Sequence, residues 1–193
     1  MIGRACRTVA SFAALLIGGA VAAQPQAPAR LVPAASEIAF QVKQSGVPID
    51  GRFRRFDAQL ALDAKAPQGG TATITVDTAS ATVGFAESDA ELPRAPWFDS
   101  ARFPQAVFRS SAIKPLGAGR LQVLGTLEIK GTSRELSVPV TIVRNGAQST
   151  ASGEFIVKRL GFRIGENEWA DVSLVADDVR VRFKLVFTGL GPL

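Results

Sequence analysis

Glu166, Glu168 and Asp171 crowd one short stretch of the chain, its nearest approach to ligands for a hard cation such as calcium. Their spacing fits no EF-hand loop, and they read as charges of a solvated loop. A glycosidase needs two opposed carboxylates in a cleft, and the spacing of the acidic residues marks no such pair. The chain holds no histidine. That excludes a Ser-His-Asp triad and a zinc site of the usual histidine type. Cys6 is the only cysteine and lies in a segment read below as removed, so the working chain lacks a thiol nucleophile. No catalytic residue, metal site or cofactor is expected. The basic residues suggest binding instead. Arg52, Arg54 and Arg55, with Lys158 and Arg159, could meet a phosphate head group, Arg55 and Arg159 being the candidates. The simpler reading of all five is outward-facing, solubilising charge.

The elements that position these residues are strands. From Asp178 to Phe187 apolar Val179, Val181, Phe183, Leu185 and Phe187 recur at every second position, with Asp178, Arg180, Arg182 and Lys184 between them. Successive side chains of a strand point to opposite faces, so the segment has one apolar and one wet face. Similar patterns run over 36–44, 51–63, 71–76, 105–113, 121–129, 132–142 and 151–162, which makes eight strands. In 51–63 the register changes at Arg54-Arg55, as one extra residue in a β-bulge would cause. Ser45-Gly46-Val47-Pro48 reads as a break, and Asn145-Gly146 as a tight hairpin turn. No helix is long enough for a βαβ crossover, so the sheet should be antiparallel.

One stretch, 78–101, breaks the rhythm. Ser88-Asp89-Ala90-Glu91 has the form of a capping box, and Pro93 limits any helix to a turn or two. Trp97-Phe98 follows, in a segment that reads either as a lid or as a surface loop whose Trp patches the core. Eight one-faced strands build a sandwich or a closed barrel, and the alternation favours neither.

Residues 1–23 read as a cleaved signal peptide, with Arg4 and Arg7, an apolar run to Val21, and small residues at Ala20-Val21-Ala22-Ala23. Cleavage after Ala22 or Ala23 fits equally well, and export to the periplasm is the expected outcome. Removing Arg4 and Arg7 takes the formal charge from +5 to +3, which gives no argument for nucleic acid. Residues 24–34, with Pro25, Pro28 and Pro33, read as a flexible leader, and 35–190 as a single domain. The chain has 12 Phe and no Tyr. Phe needs only to be dry, which suits a dry core or a cavity for something apolar.

Four segments carry a family resemblance. F-Q-V-K-Q-S-G-V-P-I-D-G-R-F-R-R-F-D-A-Q-L (Phe40 to Leu60), W-F-D-S-A-R-F-P-Q-A-V-F-R-S (Trp97 to Ser110), V-L-G-T-L-E-I-K-G-T-S-R (Val123 to Arg134) and V-K-R-L-G-F-R-I-G (Val157 to Gly165) resemble, in order, segments of the YceI-like, polyisoprenoid-binding family. The chain departs from the family at Gln44, where many relatives have histidine, and at Gly161 and Arg163 in the late basic segment. The resemblance implies an all-β fold, an eight-stranded antiparallel lipocalin-like barrel with a short helical segment in the long central connection. It also implies a non-enzymatic periplasmic carrier, store or sensor that holds a polyisoprenoid or similar lipid chain inside the barrel. The expected lumen residues are Ile38, Phe40, Val42, Phe53, Phe56, Trp97, Phe98, Phe108, Leu127, Phe155, Phe162 and Phe183. No transmembrane segment is expected, and the reading leaves room for a homodimer. The alternative is a filled β-domain, an interaction or stress-related protein of the envelope without a small ligand.

Overall fold

The computed structural model describes residues 29–63 and 66–190. The expected signal peptide and the expected leader as far as Pro28 lie outside the described residues. Strands β1 (Arg30–Leu31), β2 (Glu37–Gln44), β3 (Val47–Phe53), β4 (Phe56–Ala61), β5 (Thr71–Asp77) and β6 (Ala81–Thr82) precede the helix α1 (Ala86–Glu91). After it come β7 (Gln105–Gly117), β8 (Arg120–Ile129), β9 (Thr132–Asn145), β10 (Gln148–Lys158) and β11 (Asp178–Thr188). One curled antiparallel sheet runs in the order β4-β5-β7-β8-β9-β10-β11-β2-β3-β6.

That order begins with β4 and ends with β3 and the two-residue β6 paired to it; β3 and β4 are neighbours in the chain, so the sheet curls round until they meet at Arg54-Arg55. At the other end of the barrel β1 pairs with β11, and Ala29 bridges to Leu60 of β4. Closing a sheet this way covers edges that would otherwise invite pairing with another chain. The result is a lipocalin-like barrel.

Three sequence expectations need correction. The strand expected over 51–63 is two strands, because the chain bends sharply at Arg54-Arg55 and each half pairs with a different neighbour, β3 with β2 and β4 with β5. That bend, with the short β1 and β6, takes the count beyond eight. The break expected at Ser45-Gly46-Val47-Pro48 shrinks to Ser45-Gly46, both at positive φ (48° and 81°), which suits a two-residue hairpin turn. Pro48 pairs in register with Lys43, in the stretch of β3 that has no further strand beside it, where a missing N–H leaves no gap in the ladder. The leader is held from Ala29 onward, since β1 pairs with β11 and the Val32 N–H donates to the Val186 carbonyl at 2.7 Å.

The capping box also fails as read. Ser88 sits inside α1, and the residue before the helix is Phe85, which has no side chain able to cap. Asp89 turns back instead and accepts from the Val83 N–H at 2.7 Å and from the Thr82 hydroxyl, bonds that hold its carboxyl below the usual range.

Inside the barrel, aromatic rings lie over glycines on facing strands. Phe40 is directly opposite Gly51, and Phe183 opposite Gly153. A Cβ added at Gly125 would stand 2.6 Å from Cζ of Phe108, and one at Gly153 would stand 2.7 Å from Cζ of Phe183. Each ring occupies the space a side chain would fill on the neighbouring strand. We expect Gly153→Val to cost about 1–3 kcal/mol in urea unfolding through overpacking. Gly161→Ala, whose Cβ would meet nothing nearer than 3.9 Å, should cost less than about 0.5 kcal/mol.

Candidate functional site

Two adjoining cavities run along the barrel. The inner one, of about 180 Å³, is lined throughout by apolar side chains from most strands, among them Ile38, Leu60, Ile74, Phe108, Val123, Leu127, Phe155 and Phe183. Its far end is sealed by a buried cluster of Leu62, Ile113, Leu121, Val123 and Leu190. The outer one, of about 310 Å³, lies under α1 and the connections around it, lined by Phe40, Val42, Ile49, Trp97, Ile164, Trp169 and Val179 among others. Phe53, Phe98, Ile129, Val157 and Val181 line both. The Phe53 ring meets Phe98 edge-on at 5.8 Å and Phe40 at 5.4 Å, so an aromatic cluster stands where the chambers meet.

The roof of the outer chamber is tightly bonded. Phe98 N–H donates to the Leu92 carbonyl, and Asp99 and Trp97 N–H both donate to the Arg94 carbonyl, folding 92–100 on itself. Lys130, at the turn between β8 and β9 and only 3% exposed, donates from Nζ to the Ala95 and Arg163 carbonyls and to Glu166 Oε2 at 2.7 Å. It thereby joins three segments that are distant in sequence. Trp97 packs against Trp169 with ring centroids 5.4 Å apart.

Arg159 is the most deeply buried charge among the described residues, 1% exposed. Its Nε donates to the Ala176 carbonyl. Nη1 donates to those of Ile164 and Gly165, and Nη2 to those of Trp169 and Val175. A guanidinium has five N–H donors, and all five are engaged by main-chain oxygens. Burial pushes its pKa down, partly offset by the charge of Asp177.

Ten of the twelve expected lumen residues line the chambers. Ile38, Phe108, Leu127, Phe155 and Phe183 face the inner one, Phe40, Val42 and Trp97 the outer one, and Phe53 and Phe98 both. The other two are corrected. Phe162 is buried in the apolar cluster behind the outer chamber, and Phe56 packs against the mid-barrel cluster beside the bend. Both head-group candidates are corrected as well. Arg159 has no donor left for a ligand. Arg55 lies on an outside groove and pairs with Asp77 at 2.8 Å. Glu166 of the acidic trio is tied to Lys130, and Asp171 accepts from Ser173 within its own turn. Trp169 and Lys130 were not singled out. The only hint of Trp169 was its being the second of two Trp residues, and a Lys beside a hairpin Gly normally reads as solvated.

An antiparallel barrel with an apolar lumen and a roofed mouth defines the lipocalin-like class of fold. A profile of the YceI-like domain matches residues 30–187, and the chain belongs to that family. It is 27% identical over 157 residues to a UPF0312 protein of Shewanella baltica, covering 75% of this chain and 82% of the relative. It is 28% identical over 128 residues to the protein YceI of Salmonella arizonae, covering 66% and 64%. Among solved structures it resembles Burkholderia cenocepacia BcnA, with a TM-score of 0.78 and 40% identity over 81% of this chain and 98% of that one. A polyisoprenoid binding domain from Saccharophagus degradans shares the fold, with a TM-score of 0.68 and 16% identity over 84% and 98%.

Two outcomes test the roof. Arg159→Lys keeps the charge but offers at most three donors, so at least two buried carbonyls lose their partners. We expect a loss of at least about 3 kcal/mol in chemical unfolding. The Glu166 carboxyl is held below its usual value of 4.5, chiefly by its bond to Lys130. A depressed carboxyl contributes stability that is present above the usual value and lost as pH falls through the folded one. Between pH 5 and pH 3 the melting temperature should therefore fall further in the wild type than in Glu166→Gln.

Proposed function

We propose that this protein binds a long apolar chain, a polyisoprenoid or similar lipid, threaded through both chambers of the barrel, and that it carries, stores or senses that lipid in the periplasm without catalysing a reaction on it. The observation behind the reading is the inner chamber, whose lining offers a ligand only hydrocarbon. Burying methylenes there is worth roughly 0.8 kcal/mol each, enough to hold a chain without polar contacts. Ordering a flexible chain offsets part of that gain, so tight binding requires many methylenes. The ligand class named for the Saccharophagus domain agrees with it. The filled-barrel alternative predicts side chains packed across the centre, where the two cavities lie instead. The basic start, apolar run and small residues of 1–23 support export.

Native mass spectrometry of the full chain expressed in a Gram-negative host tests the proposal. The expected result is a mature N-terminus at Ala23 or Gln24 and a bound apolar lipid released on denaturation. A ligand-free species that takes up no isoprenoid or fatty chain would overturn the binding, and an unprocessed chain the export. Ala72→Phe should place a ring in the inner chamber, which Ala72 lines. Displacing two methylenes would weaken uptake by roughly 15-fold.

A further inference from the structure

Seven large apolar side chains stand exposed among the described residues, and four of them, Val47, Phe85, Val172 and Leu174, gather at the open end of the barrel. Val47 lies directly opposite Gln44 across the β2–β3 hairpin, and opposite residues of an antiparallel pair share a face. Val42, Gln44 and Ile49 line the outer chamber, so Val47 carries that face out past its opening. Phe85, the residue before α1, lines the same chamber and is still 64% exposed. The Ser45 N–H donates to the Leu174 carbonyl at 2.8 Å, which sets Leu174 beside the tip of the hairpin. Val172 belongs to the turn just before it, closed by the Leu174 and Val175 N–H groups on the Asp171 carbonyl. A single exposed apolar side chain is ordinary, whereas several around one opening mark a contact surface.

Area, continuity and charge identify what this surface meets. Four partly exposed side chains offer on the order of a few hundred Å², well short of the roughly 800 Å² per partner of a standard protein interface. A bilayer requires neither that area nor a matching shape, only side chains that can enter its apolar layer. The patch is continuous with the chamber lining, so a protein seated on it would cover the opening, whereas a bilayer would bring acyl chains to it. Around the patch Glu87, Glu168 and Asp171 are exposed, against Lys43 and Arg163. The rim therefore has no excess of positive charge with which to favour an anionic surface. We propose that the open end of the barrel docks on a lipid bilayer of zwitterionic head groups, inserting Val47, Phe85, Val172 and Leu174 below them. The reason for such a contact rests on the lipid-binding reading above, to which the docking adds the surface where the ligand enters and leaves.

The full chain is tested as two single-cysteine variants, Val172→Cys and Val143→Cys, each also carrying Cys6→Ser and labelled with the polarity-sensitive fluorophore acrylodan. Neither position lines a chamber, and the two are nearly equally exposed, at 57% and 59%. Val143 stands at the other end, where its neighbour Ile142 packs on the sealing cluster. Vesicles of phosphatidylcholine and phosphatidylethanolamine should shift the emission of the Val172→Cys label to the blue and leave that of Val143→Cys in place. The shift should persist from about 0.05 to 0.5 M salt, because apolar insertion is not screened. In vesicle flotation, the double variant Val47→Asp/Val172→Asp should lose roughly 10-fold in affinity. Geranylgeraniol without vesicles should leave the Val172→Cys label unmoved, which separates surface contact from filling of the chamber. Three results would overturn the inference: equal shifts at both labels, a shift that needs phosphatidylglycerol and disappears at high salt, or one produced by raising the protein concentration alone, as a second copy would give. If no vesicle binds while native mass spectrometry still finds lipid in the barrel, the docking falls and the lipid-binding reading stands. Docking without any lipid uptake would keep the surface and remove that reading.

Discussion

Arg159 must have every N–H donor satisfied where it is buried, and the mouth of the barrel is built around that requirement. The ends of a buried guanidinium are tolerable only when fully hydrogen-bonded, because the penalty for an unpaired charge in the interior is severe. Here the acceptors come from Ile164, Gly165, Trp169, Val175 and Ala176, main-chain groups of a connection with little regular structure. That connection is then pinned to the hairpin of β2 and β3 by Ala176 N–H to the Lys43 carbonyl and Ser45 N–H to the Leu174 carbonyl. The arginine serves as an internal template for a loop that has few ladder bonds of its own. With Trp169 set by that template, Trp97 has a partner ring, and one side of the outer chamber is fixed.

The opposite side depends on Lys130. Its ammonium gathers the Ala95 carbonyl of the roof and the Arg163 carbonyl of the loop, with the Glu166 carboxylate as counter-charge. Gly165 and Glu166 N–H groups both reach the Pro96 carbonyl, so roof and loop are bonded to each other as well. Two buried cations therefore organise the end of the barrel that the strands leave open. The other end is closed by apolar packing of Leu62, Ile113, Leu121 and Leu190. The asymmetry is physical: an end closed by irregular connections needs directional bonds to hold its shape, whereas a seal of packed side chains needs only area.

Between those ends three of the rings that line the lumen are accommodated against the wall. Phe40, Phe108 and Phe183 each lie over a glycine of a neighbouring strand. Interiors otherwise pack to near-crystalline density. Glycines under these rings thus leave room along the barrel axis that side chains at those positions would take up.

The sequence by itself determined the wall. Period-two alternation and the Asn145-Gly146 turn marked one-faced antiparallel strands, because those signals are local and repeat along the chain; the choice of a barrel with a lined lumen came only with the resemblance of four segments to a known family. The bend at Arg54-Arg55 was legible only as a change of register. Whether it bulges one strand or divides two depends on which neighbours pair with each half, and those lie far away in sequence. Arg159 shows the limit most clearly. As one of a set of basic residues it read as a candidate for a phosphate head group, but its role was decided by five carbonyls 5 to 17 residues further on. Lys130, Phe56 and Phe162 were settled in the same way. A side chain's neighbours across the fold determine whether it is free to bind, and those neighbours exist only once the chain has closed on itself.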